Sequence, residues 1–147
     1  MKRCSVLAVF SIWLAACSGP TFPLDARRLS TREATARSSA IAVGVVRKTT
    51  FYGPIRLTEA GVSTRTWRVE IDVWRVLKGH VNGSALTYFL NNYTPGIAQN
   101  GDFEWLAPGD RRVVFLTSYG GRLRAVSDLY GTSVPFLHAT VLLSHAR

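Results

Sequence analysis

The chain has 147 residues, of which 47% are hydrophobic, and a formal net charge of +9. This length fits one small domain with a core large enough to fold alone. The two cysteines, Cys4 and Cys17, both lie near the start, which excludes a disulfide or a cysteine-based metal site in the rest of the chain. The basic residues are scattered, which favours a solvated surface, although anionic lipids or acidic glycans remain possible contacts.

The first residues have the layout of a secretory signal. A short basic start, Met1-Lys2-Arg3, is followed by an apolar run from Val6 to Ala16 that is interrupted only by Ser11. As a helix, roughly 11 residues would cover about 16 Å of a hydrocarbon core that is about 30 Å thick. The segment is therefore too short to predict a transmembrane helix.

The end of this run, Leu14-Ala15-Ala16-Cys17, resembles the lipobox of bacterial lipoproteins. The resemblance implies that residues 1–16 are a signal peptide, and that Cys17 is lipidated and becomes the first residue of the mature protein. We therefore expect an extracytoplasmic protein tethered to a membrane. Ser18, where an aspartate would signal inner-membrane retention, favours the periplasmic side or surface of the outer membrane if the source has two membranes.

Cleavage before Cys17 would leave 131 residues with 16 basic and 9 acidic side chains, a net charge of +7. Residues 17–29 carry two prolines and no hydrophobic period, which is typical of a tether. Ser30 and Glu33 then have the spacing of a capping box and predict a short helix over about residues 31–39. We expect residues 30–147 to form a single β-barrel domain.

From Ala40 onward the pattern predicts strands. The segment from Trp67 to Val73 alternates apolar and charged residues, which predicts a strand with Val69 and Ile71 inside and with Arg68 and Glu70 in water. Trp74, Val76 and Leu77 then break the alternation, which predicts a bulge or a coil in a long strand. The other predicted strands cover residues 41–46, 85–90, 112–119 and 123–126, with Gly120-Gly121 as a hairpin turn. Residues 50–63 are predicted to be a connection, and residues 134–143 fit a strand or a helix. So many short strands favour closure into a barrel.

Three segments together, residues 40–46, 67–79 and 106–116, resemble secreted bacterial domains related to the tissue inhibitors of metalloproteinases and to netrin-like modules. The resemblance implies a mainly β fold: a small OB-like, five-stranded, Greek-key barrel with a short N-terminal helix. It does not imply inhibition of a metalloprotease. That mechanism needs a free N-terminal cysteine braced by disulfides, whereas Cys17 is expected to be acylated.

No strong catalytic motif is present in the sequence, so we predict no catalytic residues, no cofactor and no metal. His80, His138 and His145 have no spacing that specifies a metal site. The carboxylates Asp102, Glu104 and Asp110 lie close in the sequence to Phe103 and Trp105. This composition favours a polar loop with charged turn residues over a pair of carboxylates that hydrolyses a glycan.

The segment from Asn91 to Trp105 combines aromatic residues with amides and is longer than usual connections of about 4–6 residues. Loops of this kind on a rigid barrel tend to carry recognition, so Tyr93, Phe103 and Trp105 are candidate partner-binding residues. The alternative is a lid whose aromatic side chains cover the barrel. Trp67 and Trp74 are expected to fill the core or the barrel ends.

These observations favour a membrane-tethered extracytoplasmic binding module that recognises an envelope protein or a glycan. Nucleic acid is not expected as a partner in that compartment. Two alternatives remain open: an envelope hydrolase acting on glycan or peptide through the loop carboxylates, and a carrier for a small apolar ligand inside the barrel.

Overall fold

The computed structural model describes residues 29–57, 61, 63–93, 106–127 and 133–135. These residues form one helix and six strands. In chain order the elements are α1 (Thr31–Arg37), β1 (Ala40–Leu57), β2 (Ser63–Lys78), β3 (Ala85–Tyr93), β4 (Arg111–Tyr119), β5 (Arg122–Ala125) and β6 (Ser133–Pro135). Within these ranges, no helix is both long and apolar enough to cross a membrane.

The strands form a closed, five-stranded OB-like barrel, as predicted. The strand order is β1-β2-β3-β5-β4, and β1 also pairs with β4, which closes the ring. Every pairing in the ring is antiparallel except the one between β3 and β5, where Phe89 lies opposite Arg124. The short strand β6 pairs with β4 outside the ring. Closure matters because a barrel leaves fewer strand edges exposed to other chains.

The alternation predicted for residues 67–73 is confirmed. Val69 and Ile71 are fully buried, whereas Arg68 is exposed and Glu70 is half-buried. The inner faces of the barrel share one core, which contains large side chains from three strands: Trp67, Ile71, Tyr88, Leu90, Val114 and Leu116. Burying an aliphatic or aromatic side chain of this size contributes about 1.5–3 kcal/mol.

The bend in β1 depends on Gly44. A Cβ at this position would meet the backbone oxygen of Asp72 at 2.2 Å and a methyl group of Ile71 at 2.5 Å. Only a residue without a side chain therefore lets β1 coil this closely over β2. Opposite residues 41–44 of β1, the pairing with β2 shifts register twice. Trp74 and Leu77 of β2 therefore have no partner residue on β1. The bulge predicted where the alternation breaks is confirmed.

Helix α1 covers the outside of the barrel. Its Ser30 and Glu33 form the predicted capping box: the Ser30 hydroxyl accepts from the Glu33 backbone N–H, and the Glu33 carboxylate accepts from the Ser30 backbone N–H. Ala34 of the helix packs in a second, smaller core with the outward side chains of β1 and β4. The Lys78 ammonium donates to the carbonyl of Thr35, near the C-terminus of the helix.

Three predictions about individual segments are wrong. Residues 50–63 were expected to be a connection, but β1 continues to Leu57 and β2 begins at Ser63. The predicted loop from Asn91 starts later, because Asn91 to Tyr93 belong to β3. Trp74 is 53% exposed instead of filling the core, because it is one of the extra residues in the β2 bulge.

Candidate functional site

The sequence-predicted binding residues are not brought together within the described part of the chain. Tyr93 is the last residue of β3, and its side chain lies outside the described residues. Phe103 and Trp105 also lie outside them, and so does the lipidation residue Cys17. The amides of Asn91 and Asn92, which were expected on a binding loop, are buried in β3. The proposed anchor and the aromatic loop therefore stay predictions.

A different site lies on the outer face of the barrel. An open groove of about 420 Å³ is formed across four strands, and we call it the Phe89 groove. Its lining residues are Tyr52 from β1, Arg68 from β2, Thr87 and Phe89 from β3, and Gly121, Arg122 and Leu123 from the β4–β5 turn and β5.

The floor of the groove is aromatic. Phe89 is largely buried, and its ring centroid lies 5.3 Å from that of Tyr52, with the rings tilted at 52°. Tyr88 and Leu90 point into the barrel core, so Phe89 between them lies on the outer face of β3. Phe89 is only 7% exposed and supports the half-buried Tyr52 ring, which presents part of the aromatic surface in the groove.

Two arginines border this floor. The guanidinium carbon of Arg122 lies 5.7 Å from the centroid of the Phe89 ring. Arg122 is exposed, and among the described residues no carboxylate pairs with it. The side chain of Arg68 is 45% exposed and forms an ion pair of 3.2 Å with Glu70. Exposed pairs of this kind contribute at most about 1 kcal/mol, so Arg68 can exchange Glu70 for a ligand anion at little cost.

The neighbouring charges are less accessible to a ligand. Arg47 donates two hydrogen bonds to the carboxylate of Asp72. The hydrogen bond and the charge of that carboxylate raise the pKa of Arg47 above its usual range. This bidentate pair occupies both partners. Arg68 and Arg122 are therefore the cations that the outer face offers at the groove.

The other residues considered from the sequence do not form a reactive centre in the described regions. Asp110 stabilises the turn before β4, because its carboxylate accepts from the Ala107 backbone N–H at 3.1 Å and pairs with Arg112 at 3.2 Å. The His80 ring is hydrogen-bonded to Asn82 in the β2–β3 loop. Within the described ranges, no three His, Cys, Asp or Glu side chains are grouped to hold a metal ion. Asp102, Glu104, His138 and His145 lie outside those ranges.

The groove was missed by sequence reasoning because its residues are far apart in the chain. Tyr52 and Arg122 become neighbours only when the barrel closes. The local signal in the sequence is the uninterrupted apolar run Tyr88-Phe89-Leu90, which indicates a strand with large apolar side chains on both faces. No protein-family profile and no curated protein matches the chain.

Proposed function

We propose that this chain is a membrane-tethered extracytoplasmic binding module that recognises an acidic glycan in the Phe89 groove. The observation that carries the proposal is the combination of an aromatic floor with the guanidinium groups of Arg68 and Arg122. Arginine binds carboxylates through two parallel hydrogen bonds, and an aromatic surface accommodates the apolar face of a sugar ring. The Thr87 hydroxyl adds a group that can both donate and accept.

The position of the groove supports the same function. It lies on the face of β2 and β3 beside the β4–β5 turn, and OB folds use this face for oligosaccharides and oligonucleotides. This support is an analogy at the level of the fold. The expected extracytoplasmic location favours a glycan over a nucleic acid, and the net charge of +7 after cleavage favours an acidic one.

The barrel interior argues against a carrier of apolar ligands. The space between the strands is occupied by Trp67, Tyr88, Ile71 and Leu116, which are at most 2% exposed. Small barrels whose interior is filled by side chains have no room for a second apolar molecule.

Glycan binding is tested with oligogalacturonate as the probe and a neutral dextran oligosaccharide as its control. We expect the wild-type chain to bind the acidic probe with an affinity that falls as salt is raised. Arg122→Gln should weaken binding about tenfold or more, since it removes a charge-assisted contact. The matched control is Arg75→Gln, which removes the same charge from an exposed residue of β2 outside the groove.

Two outcomes would contradict the groove assignment. Equal losses for Arg122→Gln and Arg75→Gln would indicate attraction by net charge alone. Equal affinity for the acidic and neutral probes would remove the role of the arginines. The melting temperatures of both variants should match that of the wild type, because both residues are exposed.

The membrane tether is tested separately by metabolic labelling with a clickable fatty acid. We expect label on the wild-type chain and none on Cys17→Ser, because the thiol is the site of acylation. Two acyl chains are enough for stable anchoring. Equal labelling of the two proteins would disprove the lipid anchor and leave the groove experiment unaffected.

A further inference from the structure

The loop between β2 and β3 contains an asparagine that is followed directly by a glycine. Residues 79–84 connect Lys78, the end of β2, to Ala85, the start of β3. Asn82 and Gly83 are both exposed in this loop. The Asn82 amide is therefore open to water on a segment that lies outside the pairing of the sheet.

Gly83 leaves its own backbone nitrogen unobstructed. Its φ is +80°, and a Cβ at this position would meet no atom within 4 Å. Within the described part of the chain, no acceptor takes the Gly83 backbone N–H. Because glycine has no side chain and a wide range of backbone angles, this nitrogen can turn toward the side-chain carbonyl carbon of Asn82.

The loop is fixed on either side of this pair. After it, the Ser84 carbonyl accepts from the Val73 backbone N–H at 2.7 Å. Before it, Gly79 lies so close to the backbone of Ser39 that a Cβ would meet the Ser39 carbonyl oxygen at 2.1 Å. Rotation at Gly83 therefore does not require the ends of the neighbouring strands to separate.

The His80 ring holds the amide of Asn82. Its Nε2 lies 2.7 Å from the side-chain oxygen of Asn82. An amide oxygen can only accept, so the ring N–H is the donor. This bond draws electron density away from the amide carbon. The same N–H would stabilise the negative charge that forms on the oxygen when a nucleophile attacks that carbon.

The other asparagines in the described ranges have a different environment. Asn91 and Asn92 belong to β3 and are only 5% and 0% exposed. The Asn91 side chain accepts from the Thr66 hydroxyl at 2.7 Å, and neither residue precedes a glycine. Asn100 does precede a glycine, but it lies outside the described residues. Within those residues, exposure, a following glycine and a polarising donor coincide only at Asn82.

We propose that Asn82 is a modification site that deamidates spontaneously through a cyclic imide with Gly83, with the His80 ring N–H stabilising the oxyanion. The Gly83 nitrogen gives up its proton and bonds to the side-chain carbonyl carbon of Asn82. The bond from that carbon to the amide nitrogen breaks, and the nitrogen leaves with a proton as ammonia. Water then opens the imide at either carbonyl, which yields aspartate or isoaspartate without any oxidation or reduction.

The product differs from the original loop in charge and in backbone length. A neutral amide becomes a carboxylate, which removes one unit from the net charge of +9. In the isoaspartate form, the main chain runs through the former side chain and gains a methylene group between the two fixed points. None of residues 79–84 lines the Phe89 groove, so this chemistry is independent of glycan binding.

The test incubates the full chain at mildly alkaline pH, below its melting temperature, and follows each asparagine by tandem mass spectrometry. Chymotrypsin cleaves at Tyr88 and Phe89 and so separates Asn82 from the later asparagines. We expect aspartate and isoaspartate to accumulate at Asn82 and neither to accumulate at Asn91 or Asn92. Methyl transfer by a protein isoaspartate methyltransferase identifies the isoaspartate, which only the imide route produces.

Two variants test the neighbours of Asn82. Gly83→Ala should slow the reaction at least severalfold, because a methyl group then crowds the attacking nitrogen. The matched control is Gly109→Ala, which replaces another glycine of positive φ with no atom within 4 Å of its Cβ and should leave the rate at Asn82 unchanged. His80→Ala should also slow the reaction severalfold in the folded chain. In concentrated urea the ring contact is lost, so His80→Ala and wild type should react equally fast.

Three results would overturn the proposal. If Asn82 stayed intact in the folded chain but reacted in urea, the fold would protect this residue instead of exposing it. Aspartate without isoaspartate would show direct hydrolysis and exclude the imide. Equal rates for wild type and His80→Ala in the folded chain would exclude the role of the ring.

Discussion

The same two strands form two regions that differ sharply in burial. In the barrel, residues 40–45 of β1 lie between β2 and β4, and the facing residues of β2 point into a closed core. In the outer part of the β1–β2 hairpin, residues 50–57 and 63–66, which we call the hairpin arm, β1 pairs with β2 but not with β4. Its apolar side chains Phe51, Ile55 and Leu57 are 46–73% exposed. Both regions are β-rich and apolar on one face. Apolar alternation therefore predicts which residues share a face, while burial depends on whether another strand closes over that face.

The largest expected difference between the regions concerns two rings in contact. Trp67→Ala should lower the free energy of unfolding by about 3–5 kcal/mol, because it removes one of the largest fully buried side chains. Phe51→Ala removes the ring that touches Trp67 from the arm side and should cost about 1 kcal/mol, because about half of that ring is already in water. Urea denaturation of both variants measures the difference. Similar losses would mean that the arm is part of the core.

The second comparison uses isoleucines from the two regions. Ile71→Ala should cost about 2–5 kcal/mol, whereas Ile55→Ala should cost under about 1 kcal/mol. Glu70→Ala, next to Ile71 but on the outer face, should also cost under about 1 kcal/mol, because its ion pair with Arg68 is partly exposed. The same denaturation experiment decides the register. If Glu70→Ala lowered the free energy of unfolding as much as Ile71→Ala, the assignment of the inner and outer faces of β2 would be wrong.

The third comparison concerns two glycines of β1. Gly44→Ala should cost about 1–3 kcal/mol or more, because the new Cβ would collide with the backbone of Asp72 and with Ile71. Gly53→Ala meets no atom within 4 Å, and its expected cost of about 1 kcal/mol comes from the φ of +79° alone. Thermal melts of the two variants test this order. A larger loss at Gly53 would show that the arm constrains its backbone more than the barrel does.

Several local features could be predicted from the sequence because their causes are local. The spacing of Ser30 and Glu33 is sufficient for the capping box, since both partners lie within one helical turn. The alternation around Val69 identifies the buried face because strand side chains alternate strictly. The break in that alternation at Trp74 predicted the bulge but not its outcome, since the bulge turned the indole outward.

Other features depended on tertiary context. Gly53-Pro54 lies in the segment that was predicted to be a connection, but the structure accommodates both residues as an irregularity within β1. Proline is tolerated there because β1 is an edge strand in the arm, where its missing N–H removes no pairing. The amides of Asn91 and Asn92 resemble loop residues in the sequence, yet both are buried in β3. The Asn91 side chain accepts a hydrogen bond of 2.7 Å from Thr66 on the neighbouring strand.

The sequence by itself determined the alternating faces of the strands, the helix cap and the hairpin turn at Gly120-Gly121. These follow from interactions between residues close in the chain. Only the tertiary structure decided where the Phe89 groove lies and which apolar residues stay exposed on the arm. Tyr52, Phe89 and Arg122 are brought together by ring closure, and the arm remains uncovered because β4 pairs only with the first part of β1. Contacts between distant strands depend on the register and curvature of the whole sheet, which no short segment encodes.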